Sequence, residues 1–210
     1  YPTFNVTGSL DDDANKQGNK FYGLQVIGTF RDVVDMANRG QATHFLIGLA
    51  AVKHMKIKAA LYDFCRHIGL HPLNVVSKHA DISPTAHIED GMFIGSMTFI
   101  GSNCSIGLNC SIHAGVKIME NCTLESNVMT AGNSFIGGLC KIKSNVYVGP
   151  GVIVGSETTI GENSVLGAGS VVLTSVPPNT FIRGNPPAYV PMRRHAFYLP
   201  PPMWMQGPTC

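Results

Sequence analysis

Two side chains in the middle of the chain, His113 and Glu120, can move a proton. An imidazole titrates near neutral pH and can act as a general base. A carboxylate can do the same when burial raises its pKa towards neutrality. A single histidine or glutamate at a protein surface more often has no chemical role. The elements that position these two residues must therefore be established first.

Both residues belong to a repeat in which a lead residue returns at every sixth position from Ile82 to Val172. Of the sixteen lead positions, all but Thr130 are aliphatic. Neither a helix, with a period of 3.6, nor a strand, with a period of 2, sustains such a register, so the pattern predicts a solenoid. It resembles the hexapeptide repeat of left-handed parallel β-helices, in which three hexads make one triangular coil. The repeat then predicts about five coils with residues eighteen apart stacked on one another.

Glycine and asparagine recur at fixed places in the hexads, where the backbone has to turn. Glycine follows the lead directly at residues 95, 101, 107, 137, 149, 155, 161 and 167. Asparagines three residues after a lead are predicted to be left-handed; they are Asn103, Asn109, Asn121, Asn127, Asn133, Asn145 and Asn163.

The glycine pattern fails around the two candidate bases. Four successive hexads have another residue after the lead: His113, Met119, Glu125 and Ala131. Local departures from a consistent pattern tend to mark functional sites, which favours His113 as a catalytic candidate. The spacing of eighteen places Glu120 and Gly138 on adjacent coils of one face. His113 is predicted on a different face, so a neighbouring subunit would have to bring it to Glu120.

Composition excludes several classes of protein. A net charge of +2 with 13% charged residues argues against a nucleic-acid-binding surface. We expect no membrane span and no secretion signal, because no apolar run reaches eighteen residues and the first residues lack a basic and apolar segment. Four of the six cysteines are predicted to point inward as small apolar residues, and no CxxC pair suggests zinc. A reducing, cytoplasmic compartment and no metal are therefore predicted.

Residue pattern and composition divide the chain into three parts. Residues 1–79 predict a small α/β domain, with strands over 5–10, 24–27, 44–49 and 72–76 and helices near 30–38 and 50–68. Residues 80–183 form the predicted β-helix. Residues 184–210 form a Pro-rich, apolar tail that we expect to pack on its own oligomer or on a partner.

Five segments outside the bare repeat resemble sugar O- and N-acyltransferases of the sialic-acid O-acetyltransferase type, a family that includes bacterial enzymes acetylating nucleotide-linked amino sugars. The segments are residues 8–13, 16–18, 28–30, 45–48 and 74–84. The resemblance implies a homotrimer that uses acetyl-CoA as co-substrate, without a metal. It also implies that the first strand and Gly-rich turn of the family's small domain are absent here, so that this domain is partly truncated.

Site residues follow from the resemblance position by position. Glu120 occupies the place of the family's catalytic histidine, and Met129 that of a second histidine. Gly138 matches the glycine whose amide faces the thioester carbonyl. Asp11 and Asp12 are candidate substrate-binding residues, although a solvated turn would explain them equally well. The candidate acetyl-CoA residues are Gly149, Gly151, Gly167, Ala168 and, in the terminal motif over residues 181–188, Arg183, with Arg193 and Arg194 as possible phosphate ligands.

The sequence leaves two functions open. The first is an acyl-CoA-dependent transferase acting on an amino sugar, and Gly138 with the terminal motif favours it. The second is a catalytically silent scaffold or ligand-binding relative, which the absence of both family histidines favours. A β-helical carbonic anhydrase would need three histidine ligands and is rejected, because His113 alone lies in the coils after His87.

Overall fold

The computed structural model describes residues 4–21, 23–184 and 188–191. The chain forms two compact units. The first comprises the described residues up to Phe45 together with Asp63–His71, and the second comprises Leu46–Tyr62 with the described residues from Pro72 onward. The tail predicted to begin at residue 184 lies largely outside the described residues.

The first unit contains a three-stranded sheet. Ser9–Leu10 lies parallel to Leu24–Gly28, and Leu24–Gly28 pairs antiparallel with Lys20–Phe21. Short 3₁₀ helices form over Ala14–Lys16 and Phe30–Asp32, and the second of these leads into helix α1, Val33–Asn38. The predicted strand near 24–27 and helix near 30–38 are therefore confirmed, whereas the strand predicted over 5–10 is reduced to Ser9–Leu10.

Between the sheet and the repeat, the chain is mainly helical. The strand His44–Phe45 is followed by a 3₁₀ turn, Val52–His54, and by helix α2, Met55–His67. The strand His71–Pro72 comes next, and the His71 amide donates to the Thr43 carbonyl at 3.0 Å. The predicted helix over 50–68 is thus shorter at both ends.

The repeat folds into a left-handed parallel β-helix with three faces, as the sequence predicts. Face A is made of Asp81–Ile82, Phe99–Ile100, Lys117–Ile118, Phe135–Ile136, Ile153–Val154 and Val171–Val172. Face B is made of His87–Ile88, Ser105–Ile106, Thr123–Leu124, Lys141–Ile142 and Thr159–Ile160. Face C is made of Val75–Val76, Phe93–Ile94, Ser111–Ile112, Met129–Thr130, Tyr147–Val148, Val165–Leu166, Thr180–Arg183 and Ala188–Pro191.

The two-residue strands of the repeat pair in register with residues eighteen apart, whereas Val165 pairs with Phe181, sixteen residues on. Lys117 pairs with Phe99 on one side and with Phe135 on the other, and the same offset recurs on faces B and C. Stacking begins at Val75–Val76, before the predicted start at residue 80. The last strand, Ala188–Pro191, runs antiparallel to Thr180–Arg183 and ends the parallel order.

The turn residues behave as predicted. The seven asparagines three residues after a lead have φ between 56° and 60°. Glycine follows the lead because the next coil approaches closely: a Cβ on Gly101 would lie 2.8 Å from the Glu120 nitrogen. On Gly149 it would lie 2.6 Å from the Leu166 oxygen. Backbone contacts of this kind leave no room for a side chain.

The interior of the β-helix consists of the lead residues and the residues four positions after them. The inward cysteines are buried free thiols, and three stacked ones, Cys104, Cys122 and Cys140, each donate to a carbonyl of the next coil at 3.0–3.1 Å. Thr130 and Ser134 lie on one coil, and their buried hydroxyls have no hydrogen-bond partner among the described residues. The other buried hydroxyls at inward positions, those of Thr98, Thr158, Ser164 and Ser170, each donate to a backbone carbonyl.

Within the second unit, the first half of helix α2 lies along the corner between faces B and C. There Asn109, Asn127 and Asn145 form a ladder of side-chain amides. Asn127 also donates to the Met55 carbonyl at 3.0 Å, and Asn109 to the Lys58 carbonyl at 3.3 Å. Three helical residues rise about 4.5 Å, close to the spacing of about 4.8 Å between stacked strands. The helix can therefore contact successive coils.

Candidate functional site

The three residues that follow each lead form a corner between two faces. The predicted site residues lie at two of these corners. The A/B corner follows face A and contains Glu120 and Gly138. The C/A corner follows face C and contains His113, Gly149, Gly151, Gly167 and Ala168. Face A lies between the two corners. His113 and Glu120 are therefore apart within one chain, and the spacing in the sequence predicts this separation.

At the A/B corner, the Glu120 side chain lies over Gly138. A Cβ added to Gly138 would be 3.4 Å from the Glu120 carboxylate oxygen Oε1 and 3.4 Å from its carbonyl oxygen. The amide of the following residue, Leu139, donates to that carbonyl at 3.0 Å. Within the described residues, no group accepts a hydrogen bond from the Gly138 amide. A free N–H beside a carboxylate is suited to binding an oxyanion next to a proton acceptor.

Solvent exposure distinguishes the two candidate bases. Glu120 is exposed in the single chain, and a solvated carboxylate is a poor general base near pH 7. His113 is half-buried, and its ring lies 5.5 Å from that of Phe93. Burial, followed by the charge of Lys58, lowers the pKa of His113 below its usual value. A neutral imidazole at pH 7 can accept a proton.

At the C/A corner, the predicted acetyl-CoA residues stack on successive coils. Gly149 is buried, whereas Gly151, with a φ of 64°, and Ala168 are exposed. A Cβ on Gly167 would lie 2.8 Å from the Ile182 oxygen, so glycine is needed there for packing as well. These contacts explain the glycines without a ligand, and the cofactor role stays a prediction.

A groove of about 540 Å³ runs from the C/A corner onto face A. Its lining consists of Gly115, Lys117, Asn133, Ser134, Phe135, Gly151 and Ile153. It combines aromatic and aliphatic surface with one cationic side chain, Lys117, at the edge of the face that both candidate corners share.

The two aspartates predicted to bind substrate have structural contacts in the first unit. Asp11 forms an ion pair with Lys16 at 2.7 Å, and its hydrogen bond to this lysine lowers the pKa of the carboxyl. Asp12 accepts a hydrogen bond from the Phe30 amide at 2.8 Å. Both contacts fit a turn that caps the following elements, and a substrate role remains a prediction.

The remaining predicted residues have different surroundings. Arg183 is exposed at the end of its strand, at the C/A corner, where a Cβ on Gly167 would lie 3.8 Å from its Cα. Residues 185–187 of the terminal motif, Arg193 and Arg194 lie outside the described residues. Met129, at the place of a second family histidine, points outward from face C yet is only 1% exposed.

Sequence reasoning missed two features of the second unit. Lys58 is 1% exposed, and its amine donates to the carbonyl and side-chain oxygens of Asn109. The helical pattern of the sequence does not predict that the Lys58 side chain is buried. Leu139 has a φ of 62°. It lies three residues after a lead, where asparagine is usual, so its position in the repeat predicts this left-handed conformation.

The part of the chain that the structure describes contains no cluster of three histidine, cysteine, aspartate or glutamate side chains able to hold a metal ion. Nor does any of its helices have the length and apolar character needed to cross a membrane.

Comparison with known proteins places this geometry in context. The family model of the GMPPB C-terminal domain matches residues 76–175, which is less than half of the chain. No curated protein matches the sequence. Among solved structures, a mutant of GDP-perosamine N-acetyl transferase from Caulobacter crescentus, in complex with CoA and GDP-perosamine, has a TM-score of 0.78 at 20% identity. The match covers 84% of this chain and 82% of that one.

Two other solved structures are similar over nearly the same length. The acetyltransferase domain of PglB from Neisseria gonorrhoeae, with acetyl coenzyme A, has a TM-score of 0.75 at 21% identity, covering 86% of this chain and 84% of that one. WeeI from Acinetobacter baumannii has a TM-score of 0.76 at 22% identity, covering 87% and 85%. The chain has the fold of these proteins. The resemblance inferred from the sequence is confirmed at the level of the fold.

Proposed function

We propose that this chain is an acyl-CoA-dependent acyltransferase that accepts acetyl-CoA and acts on a nucleotide-linked amino sugar in the cytoplasm. The observation that carries the proposal is the free amide of Gly138 beneath the Glu120 carboxylate, at a corner of the β-helix. The fold is shared with a sugar N-acetyltransferase solved with CoA and GDP-perosamine, which supports both substrate classes.

The proposed reaction needs few groups from the protein. The lone pair of the sugar amine attacks the thioester carbonyl carbon, and a C–N bond forms while the carbonyl oxygen becomes an oxyanion. The Gly138 amide donates to that oxygen. A base takes the proton of the amine, the C–S bond breaks, and the proton passes to the departing CoA thiolate. Glu120 is the nearest base to Gly138, and His113 is the alternative.

A homotrimer would solve the problem of the separated corners. His113 and Glu120 lie at different corners of one chain, but a neighbouring subunit packed against face A could bring its C/A corner to the A/B corner of the first. The acetyl-CoA residues at the C/A corner would then face Gly138 of another subunit. We therefore propose that the complete site forms only between subunits.

The first test is binding of acetyl-CoA by calorimetry, followed by CoA thiol release with nucleotide-linked amino sugars as acceptors. We expect micromolar or tighter binding and acceptor-dependent release. Glu120→Gln should abolish turnover while acetyl-CoA still binds, because the amide retains the shape and loses the basicity. Unchanged turnover in this variant would remove Glu120 from the mechanism.

The second candidate function, a catalytically silent scaffold, is favoured by the exposure of Glu120. Absence of any acetyl-CoA binding by the purified protein would support it over the transferase.

A further inference from the structure

We propose that Leu139 is a specificity-determining residue that contacts the acyl chain of the thioester, and that it makes the enzyme prefer acyl groups longer than acetyl. This inference rests on the proposed function and deepens it, since it concerns the group transferred rather than the reaction. Leu139 directly follows Gly138, so their Cα atoms are about 3.8 Å apart.

The backbone of Leu139 is in a conformation that leucine disfavours. Its φ is 62°, in the left-handed region where a Cβ crowds the following carbonyl. Among the described residues with positive φ, only Met97, Leu139 and Glu157 are neither glycine nor asparagine. At the same corner of the two preceding coils the residue is Asn103 and Asn121, which tolerate this conformation.

Packing within the chain does not compensate for this strain. Leu139 is 54% exposed, so most of its apolar surface remains in water. Leucine at this position lowers the stability of the fold for two reasons. Its backbone is left-handed, and its apolar side chain is exposed to water. The repeat imposes the left-handed conformation at this position, so what the fold does not require is leucine in place of asparagine. Residues kept in a disfavoured conformation tend to occur at binding sites.

Two of the three left-handed residues that are neither glycine nor asparagine lie at the A/B corner, where the reaction centre is proposed. Glu157, one coil beyond Leu139, is also left-handed, and its amide donates to the Gly138 carbonyl at 2.8 Å. Leu173, at the same corner one coil further, is 69% exposed. The A/B corner thus presents apolar side chains beside a free amide.

The position of Leu139 favours the acyl chain as its contact. If the Gly138 amide holds the thioester oxygen, the carbonyl carbon lies within about one bond length of that oxygen. The acyl chain leaves from this carbon, and the side chain of the next residue is within reach of it. An acetyl group offers one methyl to this surface, and each further methylene buried against Leu139 should tighten binding about four-fold.

The test compares acetyl-, propionyl- and butyryl-CoA on wild type, Leu139→Asn and the matched control Met97→Asn. Met97 is also left-handed and is 72% exposed, but it lies three coils away from Gly151, the predicted acetyl-CoA residue at the equivalent position of the C/A corner. Binding is measured by calorimetry, and kcat/KM with a nucleotide-linked amino sugar. Both asparagine variants should melt at or above the wild-type temperature, because asparagine tolerates the left-handed conformation.

We expect wild type to bind butyryl-CoA, which has two more methylenes, about sixteen-fold more tightly than acetyl-CoA, with a similar preference in kcat/KM. Leu139→Asn should lose this preference, whereas Met97→Asn should keep it. Absence of a chain-length preference in wild type, or its persistence in Leu139→Asn, would overturn the inference. So would a loss of self-association in Leu139→Asn with unchanged selectivity, which would assign Leu139 to a subunit contact.

Failure of the proposed function has a different outcome. Wild type would then bind none of the three thioesters and release no thiol. This outcome would refute the transferase and the inference about Leu139 together. Binding and turnover of all three thioesters with equal efficiency would refute the inference about Leu139 and leave the transferase intact.

Discussion

At the scale of single residues, the chemistry of the chain depends on how each polar group is buried. Glu120 is exposed, His113 is half-buried with a lowered pKa, and Lys58 is almost fully buried. In the sequence, His113 is a candidate because it breaks the glycine pattern, and Glu120 because it takes the place of the family's catalytic histidine. Burial, which decides their basicity, became visible only in the folded chain.

His113→Asn tests the second candidate base. Because its pKa is lowered below 6.5, His113 should be neutral at pH 7, and the acidic limb of the kcat/KM profile should have its midpoint below pH 6.5. If His113 is the base, the variant should lose about 10²–10⁴-fold in kcat and lose this limb, with acetyl-CoA binding retained. The control is His87→Asn on face B. An unaltered profile in His113→Asn would leave Glu120 as the candidate base.

Lys58 should make stability depend on pH. Desolvation lowers its pKa from 10.5 to about 8 in the folded chain, so the unfolded chain binds more protons between these values. The free energy of unfolding should therefore rise with pH across this window, by roughly 1–3 kcal/mol from this group. Urea unfolding at pH 7 to 10 should show a smaller rise in Lys58→Met than in wild type and in the exposed control Lys53→Met. Equal rises in all three proteins would contradict this.

At the scale of elements, one half of helix α2 and one corner of the β-helix stabilise each other through amides. Asn127 donates to Met55 and Asn145 while keeping a left-handed backbone. The repeat predicted the backbone conformation of Asn127 from its position. It could not predict the hydrogen bond to Met55, which is seventy-two residues away along the chain.

Substitution of Asn127 can separate these two roles. Asn127→Gly keeps the left-handed backbone but loses the buried hydrogen bonds, and should destabilise the protein by about 1–3 kcal/mol. Asn127→Ala also loses the favoured backbone conformation and should cost about 1–2 kcal/mol more. Chemical denaturation measures both, with Asn103→Gly at an exposed corner as control. A Gly variant as stable as wild type would show that the amide contacts contribute nothing.

At the scale of the whole molecule, the outward residues of the faces differ in polarity. Face A presents Phe99, Phe135 and Ile153, the last 44% exposed, whereas face B presents mainly polar residues. An apolar face of this kind suits a subunit interface. The proposed trimer would use it to join the two candidate corners.

Ile153→Glu tests this proposal. A charge on face A should dissociate the trimer and abolish turnover, because the complete site needs two subunits, while the circular dichroism of the β-helix remains. Sedimentation measures the mass, and Lys141→Glu on face B is the control that should remain trimeric. A monomeric wild type, or an active monomeric variant, would refute the shared site.

The sequence by itself determined the β-helix, its stacking interval and its left-handed asparagines, because a six-residue repeat permits few other backbones. It also determined that His113 and Glu120 belong to different corners. Only the tertiary structure showed that Glu120 is exposed, that Gly138 has a free amide, that Lys58 is buried and that the side chain of Leu139 is left exposed. These properties depend on what surrounds each residue in space, and the contacts of Lys58 with Asn109 and of Met55 with Asn127 join segments far apart in the chain.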